Sequence, residues 1–145
     1  MNRKGDIISE HMDIKRVLDN LRKNNMDAVY VEHREHAKKI VKEMINKDAL
    51  IVTGGSITLD ACGITDMIND EGYNIADKAD KSAMFSSDFM LSSTNAITED
   101  GILYNVDGAS NRVACICHGP KKIIIVAGIN KIVKNFEQAI LRVKH

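Results

Sequence analysis

Cysteine is scarce. The chain of 145 residues has three, Cys62, Cys115 and Cys117. An odd number this small argues against a disulfide framework, and the three read as free thiols of a reducing cytosol. Cys115-Ile-Cys117 is not a C-x-x-C pair, and no four Cys/His ligands have zinc-like or iron–sulfur spacing. No metal site and no resident cofactor is therefore expected of the chain by itself. Net charge is absent as well: 20 basic side chains face 20 acidic ones, with a pI near 7.0. That balance removes the electrostatic case for nucleic-acid binding. Long hydrophobic runs are missing. The longest, Ile123 to Ile129, is far short of the ~20 residues needed to span a bilayer, so no membrane partner is expected. The start, Met1-Asn-Arg-Lys-Gly-Asp6, leads into a charged amphipathic stretch rather than a secretion signal, and the expected compartment is cytoplasmic. Pro120 is the only proline, and no Gly/Ser-rich linker or repeat occurs. The chain reads as one domain over residues 1–145, long enough to bury roughly two-thirds of its unfolded surface without staples.

What is present is a strong alternation of hydrophobic period. Ile7, Ile14, Leu18 and Leu21 share one face of a helix ending near Asn24-Asn25. A short strand is expected at Ala28 to Val31, and a helix through Ala37, Ile40, Val41, Met44 and Ile45. Ala49 to Val52 reads as a buried strand, followed by a helix from Thr58 to about Gly72. Then come a short strand at Tyr73 to Ile75, a helix over Asp77 to Phe85, and a buried strand at Phe89 to Leu91. Turn signals at Glu99-Asp100-Gly101 and Asp107-Gly108 mark residues 96–106 as a β-hairpin. Ala109, Val113, Ile116 and Cys117 return to helical spacing; Lys121 to Val126 is the most apolar strand; Val133, Phe136, Ile140 and Val143 line a final helix. Strands alternating with helices require crossovers. The expected fold class is therefore α/β: three layers, a mostly parallel sheet with helices on both faces, and an inserted β-hairpin. Leu50-Ile51-Val52 and Ile123-Ile124-Ile125-Val126 are the continuous apolar runs that buried parallel strands require.

Ligands of open α/β sheets bind beyond the carboxyl ends of the strands, and three segments leave strands there. The first is Thr53-Gly54-Gly55-Ser56-Ile57-Thr58. Gly54 and Gly55 permit a tight turn and close approach, and Ser56 and Thr58 add hydroxyls ahead of a helix N-terminus. The combination suits a carboxylate or phosphate, or simply a tight turn with Ser56 as N-cap. It is neither a P-loop nor a dinucleotide fingerprint. The second segment runs from Ser92 to Arg112 and is dense in small polar and amide groups, among them Asn95, Asn105, Asp107 and Asn111. Here Arg112 either pairs internally with Asp107 or forks onto a ligand anion. The third, Ala127-Gly128-Ile129-Asn130-Lys131, puts Lys131 at a strand-to-helix junction where it could meet an anion. His33 and His36 lack a third metal ligand, and the methionines read as core filler. No nucleophile elbow, H-E-x-x-H or Ser/His/Asp arrangement is present. Charge is unevenly spread: residues 48–112 carry 3 basic and 11 acidic groups, net −8, whereas residues 113–145 carry 6 and 1, net +5.

Several of these stretches resemble the lactate-utilisation (LUD) domain family, in its C-subunit-like, single-domain form. They are Thr53-Gly-Gly-Ser-Ile-Thr-Leu59, the long run from Ser93 to Arg112, Gly119-Pro-Lys-Lys-Ile123, and Val126-Ala-Gly-Ile-Asn-Lys-Ile-Val133. The resemblance covers nearly the whole chain in order. It implies the three-layer fold shared with ribose-5-phosphate isomerases, glucosamine-phosphate deaminases and CoA transferases. In those enzymes a Gly/Ser/Thr loop after an early strand binds phosphate or an acyl group, a role that would map to Gly54, Gly55, Ser56 and Thr58. The run around Asn105, Asp107, Asn111 and Arg112 resembles a site-lining stretch of sugar-phosphate isomerases. The family is linked to bacterial oxidation of L-lactate to pyruvate beside separate iron–sulfur subunits. Two departures stand out: the segment between Asn74 and Phe85 is shorter than in relatives, and the sequence stops at His145 where relatives often continue. If that further segment closes the pocket, its lack leaves an open site or costs activity, and an uncovered sheet edge would favour a homodimer.

Three functions follow as expectations. The first is an enzyme or accessory subunit holding a small hydroxy- or keto-acid, with the carboxylate on the 54–58 loop and Arg112 or Lys131 as counter-charge. The second is a non-catalytic module docking on iron–sulfur partner subunits. The third is an isomerase- or CoA-transferase-like enzyme on a phosphorylated or acyl-CoA substrate, with Glu99 as acid/base or nucleophile. The substrate-binding set is Gly54, Gly55, Ser56, Thr58, Asn95, Asn105, Asp107, Asn111, Arg112 and Lys131. It requires segments near positions 55, 105 and 130 to converge.

Overall fold

The buried apolar runs organise the molecule. A computed structural model describes residues 13–77 and 79–144. In chain order these form α1 (Ile14–Lys23), α2 (Arg34–Met44), β1 (Ile51–Thr53), α3 (Ile57–Ala61), α4 (Ile64–Asp70), α5 (Lys81–Ser86) and β2 (Phe89–Ser92). Then follow β3 (Ala96–Thr98), β4 (Leu103–Tyr104), α6 (Asn111–Cys117), β5 (Lys122–Ile125), a 3-10 turn (Ile129–Lys131), β6 (Ile132–Val133) and α7 (Phe136–Lys144). The central sheet has the order β1-β2-β5, all parallel. Its register aligns Val52, Met90 and Ile123 across the three strands. Because side chains alternate along a strand, these three share one face and Ile51, Phe89, Leu91 and Ile124 share the other. Each face has its own core. Ile51, Leu91 and Ile124 pack with Val41 and Ile45 beside α2 and with Leu59, Ile64, Met67 and Ile68 of α3 and α4. Val52 and Met90 pack with Cys115 of α6, and Ala83 and Met84 of α5 lie against them. The fold is therefore α/β, with helices on both faces of a parallel sheet.

Two strands of that sheet run on into a second one. β2 passes through Ser93-Thr94-Asn95 into β3, and β5 passes through the 3-10 turn into β6. The second sheet has the order β4-β3-β6, with β3/β4 antiparallel and β3/β6 parallel. The same two chain segments are thus neighbours in both sheets. α7 packs on the second sheet, where the small Ala139 is fully buried. α1 packs on the hairpin tip: Asn20 Nδ2 donates to Glu99 O at 2.8 Å and Asn24 Nδ2 to Gly101 O at 2.9 Å.

Local chemistry sets the element ends. Asp13 caps α1 by accepting from Arg16 N–H at 3.1 Å, and Asp80 caps α5 by accepting from Ala83 N–H at 3.0 Å. Asn25 takes a left-handed φ of 61° just past α1, the conformation asparagine tolerates at a helix end. The helix expected from Thr58 to Gly72 is instead two, α3 and α4. Gly63 interrupts them at φ 66°. The helix expected from Asp77 starts at Lys81, where the Asp80 cap sets its beginning. The strand expected at Ala28 to Val31 does not form. That segment joins no sheet among the described residues, and Val29 is 68% exposed. The edge position beside β1 is already held by Tyr73 to Ile75, which makes a single bridge, Ile75 to Ile51. Val133 belongs to β6 rather than to the last helix. The helix starts after Asn135, whose Oδ1 accepts from Gln138 N–H at 3.0 Å, while Gln138 Oε1 accepts from Lys134 N–H at 3.0 Å. Ile7 lies outside the described residues. Among the described residues no helix is long and apolar enough to cross a membrane, and no strand pairs with the outer edge of β5.

Candidate functional site

At the carboxyl edge of β1, β2 and β5 the chain gathers two side-chain centres, one on Arg112 and one on Lys131. The Arg112 centre is built by the loop that follows β4. Nε donates to Asp107 Oδ1 at 2.9 Å. Nη1 donates to Ser93 O at 2.9 Å and Asn105 Oδ1 at 2.8 Å. Nη2 donates to Asn95 Oδ1 at 2.6 Å and Val106 O at 3.3 Å. A guanidinium has five N–H groups, and all five are engaged by the protein itself. Of the two expectations for Arg112, the internal pair with Asp107 is the one formed. Asp107 gives its second oxygen to Val113 N–H at 2.6 Å, closing the start of α6. The two side chains are only 16% and 8% exposed. At such burial, removing one partner of an ion pair costs about 3–5 kcal/mol, because the other is left uncompensated.

Gly54 serves this centre. A Cβ at Gly54 would lie 2.9 Å from Ser92 Oγ and 3.2 Å from the Arg112 stem, so only glycine lets the β1 turn pass so close. Gly55, by contrast, faces open space. Ser56 Oγ accepts from Thr58 N–H at 3.1 Å, acting as the N-cap of α3.

The Lys131 centre is different in kind. The 3-10 turn after β5, closed by Lys131 N–H donating to Gly128 O at 3.0 Å, aims the side chain back across the sheet edge. Nζ donates to Ser93 Oγ at 2.6 Å and to Thr58 Oγ1 at 3.2 Å. No carboxylate of the described residues lies within 4.0 Å of it. Burial pushes the Lys131 ammonium below the usual lysine range, and the like charges of Arg142 and Arg112 push it the same way. Arg142, from α7, donates through Nε to Asn95 O at 3.0 Å, which ties it to the same edge. Three cations therefore converge here, and the one carboxylate among them, Asp107, is spent on Arg112.

The structure thus brings together Gly54, Ser56, Thr58, Asn95, Asn105, Asp107, Arg112 and Lys131, with Gly55 on the open side of the same turn. Two expected residues stand apart. Asn111 is exposed at the first position of α6. Glu99 sits on the hairpin turn at the far end of β3, paired with Arg16 Nη1 at 3.6 Å and held against α1. Two participants escaped the sequence reading. Ser93 lay inside the polar stretch but looked like any of its serines; it is 6% exposed. Arg142 lay in a helix read only for its apolar face; it is exposed, and its Nε bond to Asn95 O is what ties it to this edge.

Other polar groupings carry less chemistry. A depression of about 440 Å³ lies at the opposite, amino-terminal edge of the central sheet, beside Asp48, Asp88 and Lys121. Its Asp88 is already matched: Lys121 Nζ donates to it at 2.7 Å and Leu50 N–H at 2.9 Å, and both contacts lower its pKa. Among the described residues no group of three or more His, Cys, Asp or Glu side chains is placed to hold a metal ion.

A parallel three-stranded sheet between helical layers, with a half-buried lysine at its carboxyl edge, defines an α/β protein. The chain belongs to the LUD domain family, whose model matches residues 14–145, and is thereby a lactate-utilisation-related protein. No curated protein matches it.

Proposed function

We propose that the chain holds a small hydroxy- or keto-acid at the carboxyl edge of its central sheet and serves the oxidation of lactate as an enzyme or accessory subunit. The observation that carries this reading is Lys131: a desolvated cation with two hydroxyl partners, Ser93 and Thr58, and no carboxylate within 4.0 Å among the described residues. A half-buried charge without a counter-charge is unfavourable, and an anionic ligand supplies one. In this reading Arg112 shapes the site rather than touching the acid. Its donors are used, and its work is to hold Asn95, Asn105 and the Ser93 carbonyl in place. Arg142 keeps its terminal nitrogens for the ligand, with Nε anchored to Asn95 O. Ile57, beside Thr58, is 88% exposed and offers apolar surface for the short carbon chain of such an acid.

Calorimetric titration with L-lactate and pyruvate tests the reading. Binding should appear with both and weaken about ten- to a hundred-fold in Lys131→Met, the loss of one charge-assisted hydrogen-bonded contact. Equal affinity in the wild type and Lys131→Met, or no heat from either acid at millimolar concentration, would overturn it.

A further inference from the structure

We propose that Lys131 is a nucleophilic amine that condenses with the carbonyl carbon of a small keto acid to form an iminium adduct. The inference rests on the reading that this edge holds such an acid and goes one chemical step beyond it. An ammonium tied to a carboxylate cannot serve as a nucleophile, because the ion pair keeps it protonated. Four other lysines, Lys15, Lys39, Lys42 and Lys121, are in that position, each paired with an Asp or Glu. Lys131 differs on each count. Its Nζ is drawn in between Ser93 Oγ and Thr58 Oγ1, and the charged groups that face it, Arg112 on α6 and Arg142 on α7, are both cations. Burial and those like charges favour the neutral amine, the two means by which a lysine becomes reactive toward carbonyls.

The step balances with the groups present and water. The lone pair of Nζ forms the C–N bond while the carbonyl π pair moves to oxygen, which takes up a proton to give the carbinolamine. Nitrogen loses a proton, the carbinolamine hydroxyl gains one and leaves as water, and the nitrogen lone pair closes the C=N⁺ bond. Over the whole sequence an amine, a carbonyl and one proton become an iminium and water, with no change of oxidation state. Ser93 and Thr58, already hydrogen-bonded to Nζ, are the hydroxyls placed to pass these protons. The iminium is itself a cation, so the carboxylate of the adduct keeps a counter-charge, with Arg142 as the second.

Reductive trapping with pyruvate and borohydride, followed by peptide mapping, tests the inference. One reduced pyruvate adduct should form on Lys131, ahead of exposed lysines such as Lys15 and Lys39, and should persist to lower pH than theirs. L-Lactate, which has no carbonyl, should slow the labelling and form no adduct. Lys131→Arg keeps the charge and should lose the adduct. Adducts spread over the surface lysines with Lys131 unmodified, or equal total labelling in Lys131→Arg, overturn the inference. Calorimetry on the same samples separates the two levels. Acid binding without an adduct removes the imine and leaves the binding reading standing. The absence of both removes the binding reading and the imine with it.

Discussion

Arg112 illustrates how one side chain can decide the shape of a site without offering anything to a ligand. Its partners come from three places in the chain, residues 93–95, 105–107 and, through Gly54, the turn after β1. Lysine has the charge but not the planar fork. Arg112→Lys should therefore lose most of these contacts and leave Asp107 and the Asn side-chain oxygens poorly matched. The expected cost is about 2–4 kcal/mol, measured by urea unfolding against the wild type. Unchanged stability would mean that the knot is decorative. Lys131, one loop away, is set up in the opposite sense: it has hydroxyl partners and like charges, and no carboxylate among the described residues lies within 4.0 Å. Side chains of the same sign thus differ in surroundings, one tied into a frame of oxygens and one held by two hydroxyls.

At the scale of elements, α1 and the β3–β4 hairpin depend on each other. The hairpin tip turns at Gly101, with φ 87°, and a Cβ there would lie 2.6 Å from the backbone of Asn20. Gly101→Ala meets both a strained φ and a backbone clash. It should destabilise the protein by about 1–3 kcal/mol, with hydrogen exchange rising first in α1 rather than in β2. Exchange rising uniformly would show that the contact is not local. The hairpin was legible beforehand because Glu99-Asp100-Gly101 is a turn signal with a mechanism. The strand at Ala28 to Val31 was misread because β propensity says nothing about a free partner, and the edge beside β1 is taken by Ile75. The single helix expected after Thr58 was misread because a lone glycine in a periodic run is ordinarily tolerated, whereas Gly63 adopts a left-handed φ that no helix continues through.

At the scale of the whole molecule, the two cores on opposite faces of the central sheet make Cys115 a reporter of global opening. It is 1% exposed, and burial pushes its thiol up, as it does that of Cys62. The thiolate is the reactive form, and raising the pKa depletes it at neutral pH. Cys117, two residues on, is exposed. Under native conditions a maleimide should therefore modify Cys117 quickly, Cys62 more slowly, and Cys115 only at the rate of unfolding. Fast modification of Cys115 would argue that the α6 layer opens by itself.

The amino-acid sequence alone determined the buried strands, since only continuous apolar runs such as Ile51-Val52 and Ile123-Ile124-Ile125 can be covered on both faces. It also determined the α/β alternation, the Ser56 cap and membership of the family. Only the tertiary structure decided which polar side chains act together. Thr58 and Ser93 lie 73 and 38 residues before Lys131 along the chain, and nothing local specifies that they meet. Their meeting depends on the crossovers that put β2 between β1 and β5. So does the fate of Arg112, whose choice between a ligand and Asp107 was open until the loops around it had a geometry.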